Sequence, residues 1–357
     1  RGVHRRRVEQ LLLRGSAGEN MRRFAMAVLP LALCLAANAW ASPGGDLLDA
    51  AGSGDLNKVK AALKAGASVD HKGSDGTTAL MLAAAANNTP LVQLLLGKGA
   101  KVDERDSDGA TAFIVAVDRD NTVMARALAA KGADVNAKTK DGRTALMLAS
   151  YRGNATLAKL LLDKGAEVNA KSADGMNALL HAVNRENFEV ARLLLAKGAD
   201  VNAQDAKGNS ALIRASAGCE LDPQEAIGEK SLRPGHTRRC PKEMKALVKQ
   251  LLDKGANPSA RNGEGFTPLL SAIANEQLDL AKMLLEKKAD TSGTLRGKRT
   301  ALMVASAMGY VEIVKLMLAN GADVTARDFE GNTALKAAEA NEHDEVVKML
   351  KQAGAKE

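Results

Sequence analysis

Glycine recurs at a fixed interval along this chain: Gly76, Gly109, Gly142, Gly175 and Gly208 are each 33 residues apart. The same phase returns at Gly265, 57 residues after Gly208, and at Gly331, a further 66. A period of this length, held over most of 357 residues, means one small supersecondary unit copied and stacked. Such an array grows by addition, so the size limit of a single hydrophobic core does not apply to it. It also presents a long surface in place of a buried pocket. Aromatic residues make up only 2% of the chain, which suits thin helical layers filled by leucine and alanine.

One copy reads DGRTALMLASYRGNATLAKLLLDKGAEVNAKSA, from Asp141 to Ala173. Asp141-Gly142 is a turn pair, with glycine free to take positive φ. Thr144 suits a helix N-cap, its hydroxyl accepting from an otherwise orphan backbone N–H. Leu146, Met147 and Ala149 give a short first helix its apolar face, and Gly153-Asn154 ends it. Leu157, Leu160 and Leu161 restart the helical spacing. Lys164-Gly165 closes the second helix: the glycine suits a left-handed C′ position and the lysine complements the negative end of the helix dipole. Lys98, Lys131, Lys197 and Lys254 fall in the same place, so they are structural punctuation and not a basic patch.

These motifs resemble the ankyrin repeat family over residues 45–356. Its Gly-Ala-Asp-Val-Asn motif is intact at Gly132–Asn136 and Gly198–Asn202, and nearly so at Gly165–Asn169 and Gly321–Thr325. Its Thr-Pro-Leu-His opening survives as Thr-Ala-Leu at Thr78, Thr144, Thr300 and Thr333, and as Thr267-Pro268-Leu269. The histidine is replaced by Met81, Met147 and Met303, so apolar packing is expected to substitute for its hydrogen bonds. The resemblance implies an all-α ankyrin-repeat solenoid, helix–turn–helix units joined by β-turn loops. About nine repeats are expected, beginning near residues 46, 77, 110, 143, 176, 209, 266, 299 and 332. The first lacks the Thr-Ala-Leu opening, and the last carries Lys336, Glu339, Glu342 and Glu345, as terminal units that end an array should. One repeat, the sixth, carries a long insertion at residues 219–241 between its two helices.

The N-terminal region is of a different kind. Met21-Arg22-Arg23, the apolar run Phe24–Ala37 and Ala39-Trp40-Ala41 have the form of a secretory signal peptide, with cleavage expected after Ala41. The apolar run is too short to span a bilayer, so no membrane attachment is expected after cleavage. Residues 1–20 begin with arginine and are expected to reflect a start assigned too far upstream. Removing residues 1–41 takes away seven Lys/Arg and two Asp/Glu, which lowers the formal balance from +8 to +3. The apparent basicity is therefore mostly targeting, and no nucleic-acid partner is expected. Only Cys219 and Cys240 remain after cleavage. Both lie in the insertion, and because the resemblance implies that the two helix ends of a repeat lie close, a Cys219–Cys240 disulfide is expected at its base.

Catalytic and metal-binding constellations are not evident. His71, His181, His236 and His343 are scattered over different repeats without metal-ligand spacing, and His181 reads as a packed core histidine. Asp106-Ser107-Asp108-Gly109 has Val115 where a calcium loop needs a bidentate glutamate. Neither a G-x-S-x-G elbow nor a phosphate loop occurs. The expectation is a non-catalytic chain with no cofactor and no metal.

One arrangement stands out. Arg119, Arg152 and Arg185 lie 33 residues apart near the ends of three consecutive first helices, with Asp118, Tyr151 and Asn184 beside them. By resemblance, turn tips and the exposed side of first helices form the concave partner-binding surface, which adds Lys140, Arg143 and Met176. Stacking should align the arginines as a ladder that attracts a protein partner with an acidic patch. The expected protein is thus a monomeric binding scaffold of the Gram-negative periplasm. Alternatives are an accessory factor that stabilises or regulates an exported enzyme in stress defence, and a secreted effector that binds host proteins.

Overall fold

The computed structural model describes residues 42–217, 242–295 and 298–356. The expected signal peptide, Cys219, Cys240 and the insertion between them lie outside the described residues. Two compact bodies are distinguished, one ending at Ser107 and the other beginning at Asp108. The first holds α1 (Pro43–Gly52), α2 (Leu56–Lys64), α3 (Ala79–Ala85) and α4 (Thr89–Gly97). The second begins with α5 (Ala112–Asp118), α6 (Thr122–Ala130), α7 (Ala145–Arg152), α8 (Ala155–Asp163), α9 (Ala178–Asn184) and α10 (Phe188–Ala196). It continues through α11 (Ala211–Ser216), α12 (Lys242–Asp253), α13 (Pro268–Ala274), α14 (Leu278–Glu286) and α15 (Ala301–Ala307). It ends with α16 (Val311–Ala319), α17 (Ala334–Glu339) and α18 (Asp344–Gln352). Among the described residues these eighteen helices alternate as the first and second members of nine pairs, with no strand, giving the all-α repeat solenoid expected from the sequence.

Local chemistry sets the boundaries. The Thr144 hydroxyl accepts from the Met147 N–H at 3.4 Å and starts α7, and Asn177 and Ser210 do the same for α9 and α11. Gly153 ends α7 in the left-handed conformation, φ 79°, and Asn154 caps α8 through the Leu157 N–H at 2.8 Å. Within each body first helices pack on first helices of the next repeat, and in the body that begins at Asp108 second helices pack likewise on second helices. Leu146, Met147, Leu157 and Leu161 are fully buried in one such layer. Met81, Met147 and Met303 are buried, so packing does replace the histidine. At Met303 the thioether sulfur also accepts from the Thr300 N–H at 3.4 Å, a weak return of the missing hydrogen bond.

Consecutive repeats are tied through their turns. The Lys140 N–H donates to the Asp108 carbonyl at 2.8 Å, Ala173 to Asp141 at 2.8 Å and Ala206 to Asp174 at 2.9 Å. Asparagine makes a second tie: Asn136 Nδ2 donates to the Gly165 carbonyl at 3.1 Å while its Oδ1 accepts from the Glu167 N–H at 2.8 Å. Asn169 spans to Gly198 and Asp200 in the same way. Both ties survive the break in the 33-residue spacing. Asn202 bridges to Gly255 at 3.1 Å and Asn257 at 2.8 Å, and the Gly263 N–H donates to Lys207 at 2.8 Å. The extra residues of the sixth repeat therefore leave the stacking register intact.

The repeat glycines are not equivalent. Gly165 has φ 86° with open space where a Cβ would lie, whereas a Cβ on Gly175 would sit 2.7 Å from the Ala206 nitrogen and 2.9 Å from the Asp205 carbonyl carbon. Lys288 occupies the position equivalent to Gly165 and still takes φ 60°, a conformation a β-carbon disfavours. Lys288→Gly should therefore stabilise the protein by about 1 kcal/mol. Gly165→Ala should cost about 1–2 kcal/mol, and Gly175→Ala distinctly more, because it adds a backbone clash to the same strain. Urea-denaturation midpoints of the three variants check this order; equal effects at Gly165 and Gly175 would contradict the close approach of the turns.

Candidate functional site

Within the body that begins at Asp108, the helices α5, α7 and α9 carry Arg119, Arg152 and Arg185 at equivalent ends. All three arginines are exposed, yet their surroundings differ. Arg152 reaches back one repeat and its Nη2 bonds the Asp118 Oδ1 at 2.9 Å. This partly exposed, charge-assisted pair contributes at most about 1 kcal/mol to stability, but it neutralises the middle of the column. Arg185 also reaches back one repeat, where its guanidinium carbon lies 4.7 Å from the centroid of the Tyr151 ring. Arg119 caps α5 and makes no side-chain ion pair among the described residues. The three arginines are thus not an equivalent ladder: one is paired with a carboxylate, one is stacked, and one extends into solvent.

The other candidates fall into two groups. Lys140 is an exposed turn tip, and Asn184 is exposed with its Oδ1 accepting from Arg214 Nη1 at 2.7 Å. Asp118, Arg143 and Met176 are only 9%, 6% and 2% exposed, which corrects their expected place on the accessible surface. For Arg143 and Met176 the reason lies in the turn; Asp118 ends α5 and is held instead by Arg152 of the next repeat. Thr139 and Arg143 exchange hydrogen bonds, Thr139 N–H to the Arg143 carbonyl at 3.0 Å and Arg143 N–H to Thr139 Oγ1 at 3.0 Å. This folds the residue before the N-cap under the turn, where Arg143 Nε meets Asp141 Oδ2 at 2.8 Å. Ser172 closes over Met176 similarly, its N–H donating to the Met176 carbonyl at 2.9 Å.

Three further participants lie outside the arginine column that the sequence shows: His181, Asp205 and Arg214. Arg214 bonds the carboxylate of Asp205 and lies 3.8 Å from the Met176 sulfur. Burial pushes the Asp205 carboxyl up, but hydrogen bonds from Asn209 together with the Arg214 guanidinium reverse this and hold it below the usual carboxylate range. His181 meets Tyr151 edge-on, with ring centroids 6.1 Å apart and planes at 86°. A signal for two of them exists in the repeat pattern. His181 and Arg214 share a position occupied by Leu82, Val115 and Leu148 in the three preceding repeats.

His181 is 5% exposed. Burial depresses its pKa from 6.5 to about 4; Asp174 pulls it up, and Arg143 and Arg214 push it further down. Between these values the unfolded chain binds a proton that the folded chain refuses, so stability falls as pH drops from 6.5 toward 4. The full loss from this group is about 3 kcal/mol. His181→Leu, which restores the apolar residue of the preceding repeat, should flatten that part of the pH dependence. Denaturation midpoints at pH 7 and 4.5 for both proteins provide the check, and parallel declines would exclude His181 as the cause.

Among the described residues no group of His, Cys, Asp or Glu is arranged to hold a metal ion, and no helix is long and apolar enough to cross a membrane. No curated protein matches the chain. The family model for ankyrin repeats (three copies) matches residues 47–139, 83–172, 120–205, 146–222, 240–328 and 292–357. These overlapping matches span most of the sequence and follow the helix pairs and turns described above, and the chain belongs to the ankyrin repeat family.

Proposed function

We propose that this protein is a non-catalytic scaffold of the Gram-negative periplasm that holds one protein partner against its turn tips and first-helix ends. Ankyrin repeats are protein–protein interaction scaffolds, and the stacked architecture displays side chains of successive repeats side by side. The observation that carries the reading is the Tyr151–Arg185 pair. It combines two residue types enriched in binding hot spots, exposed at the arginine and backed by His181. Interlocked neighbours limit the rotamer freedom that such side chains lose on binding.

The compartment follows from Met21-Arg22-Arg23, the apolar run after it and Ala39-Trp40-Ala41. Ser42 caps α1 through the Gly45 N–H at 3.2 Å, so cleavage after Ala41 leaves the first helix and its cap whole. In that oxidising compartment Cys219 and Cys240 pair and close the insertion.

Expression from Met21 in a Gram-negative host should place a processed chain beginning at Ser42 in the periplasmic fraction. Uncleaved protein in the cytoplasm would overturn the compartment. The non-reduced mature chain should weigh two hydrogens less than its dithiol form, and two alkylatable thiols would remove the disulfide. A photocross-linking residue at exposed Arg119 should capture a discrete protein in cells; a crosslinker at Val123, on the second-helix side at α6, should not. Equal labelling from the two positions would overturn the assigned face.

A further inference from the structure

The basic side chains of the candidate face differ in what already occupies them, and the differences single out one anchor. Arg152 is bonded to Asp118. Arg143 is buried and bonded to Asp141. Arg214 is held by Asp205 and by Asn184. Arg185 is exposed, and among the described residues no carboxylate pairs with it; its partner is the Tyr151 ring.

That distinction matters chemically. Stacking engages the face of a guanidinium, whereas its five N–H donors lie in the plane and remain available for a bidentate acceptor. Tyr151 is itself steadied edge-on by buried His181, so the fork is preorganised by two rings from adjacent repeats. Beside it, Asn184 commits its side-chain oxygen to Arg214 and offers only N–H donors. A planar acceptor with two oxygens fits this set of donors. A polyanionic backbone fits less well, because Asp118, Asp174, Glu186 and Asp205 interleave with the arginines and interrupt any continuous positive track. With 2% aromatic residues the chain also has few stacking platforms for bases.

Resting on the proposal that this face binds a protein, we infer that Arg185, stacked on Tyr151, is the anchor for one side-chain carboxylate in an acidic segment of the partner. Exposed Arg119 and Lys140, in preceding parts of the array, add long-range attraction for the same segment. Arg152 contributes little, because its charge is cancelled within the fold.

The test uses the full chain and a fluorescein-labelled hexaglutamate peptide, followed by anisotropy. Arg185→Ala should weaken binding by about tenfold. Arg185→Lys should weaken it nearly as much, since an ammonium keeps the charge but has neither the flat face nor the fork. Tyr151→Leu should cost about threefold. The double variant Asp118→Ala with Arg152→Ala removes a neutral pair and should stay within about twofold of the parent. Unchanged helical circular dichroism keeps these comparisons on folded protein. If the double variant weakens binding as much as Arg185→Ala, the column acts by summed charge and the anchor assignment falls. It also falls if inorganic phosphate or oligothymidylate displaces the peptide as well as unlabelled hexaglutamate does, or if hexaglutamate does not bind at all. Capture of a protein from Arg119 without hexaglutamate binding would overturn the carboxylate anchor and leave the scaffold reading standing. Absence of any capture would instead remove the reading on which it rests.

Discussion

The structure depends on the hydrogen bonds that tie each turn to the next. A main-chain N–H at one turn tip donates to a main-chain carbonyl of the turn before it, as Ala173 does to Asp141 and Ala206 to Asp174. Because both partners are backbone atoms, the tie asks for a turn geometry and not for particular side chains. Asparagine adds a second tie that does need a side chain, since only an amide presents a donor and an acceptor in the same fork, as Asn136 does to Gly165 and Glu167. Together they fix the spacing between repeats while leaving the neighbouring surface positions free to vary. The ties outlast the break in spacing for the same reason, and Asn202 still finds Gly255 and Asn257.

Fixed spacing has a consequence for any column of equivalent residues. Side chains one repeat apart are near enough to interact, so a row of like charges is unfavourable unless something intervenes. Here Arg152 and Arg185 each turn toward the residue one place earlier in the preceding first helix. Arg152 meets Asp118, Arg185 meets Tyr151, and Asn184 is in turn met by Arg214. What an arginine can do on this face is therefore decided mainly by its neighbour one repeat back. The carboxylate at Asp118 extinguishes one positive charge, while the aromatic ring at Tyr151 orients another and leaves it intact.

This explains what was legible in the sequence. The 33-residue interval, the Thr caps and the Lys-Gly ends state local requirements that recur in most copies, so helix pairs, turns and left-handed glycines can be read directly. Alignment on that interval also brings the arginines into one column. It does not say whether a side chain in the column points out or back, because that depends on contacts between residues more than thirty positions apart. Position alone puts Arg143 and Met176 on the surface, and the closing of the turn over them is invisible without the hydrogen bonds of Thr139 and Ser172, while Asp118 is drawn in by Arg152 of the next repeat. Arg214 is hard to pick out because it stands in a column that begins with Leu82, Val115 and Leu148, a departure visible only by comparing that column across copies.

That apolar column is where the protein sets packing against surface chemistry. Leucine serves it well at Leu148, which is buried. His181 and Arg214 at the same place bring desolvation costs that a leucine avoids, and each needs compensation nearby. Arg214 receives it from Asp205 and Asn184. His181 stays neutral and lends its ring to Tyr151, which carries Arg185. At these two adjacent copies the departure yields an oriented aromatic–guanidinium pair and an amide whose oxygen is committed to Arg214. Departures of this kind concentrate where function, and not stability, selects the residue. His181 is therefore best understood as the support for half-buried Tyr151 and exposed Arg185, and Arg214 as the residue that fixes Asn184 beside them.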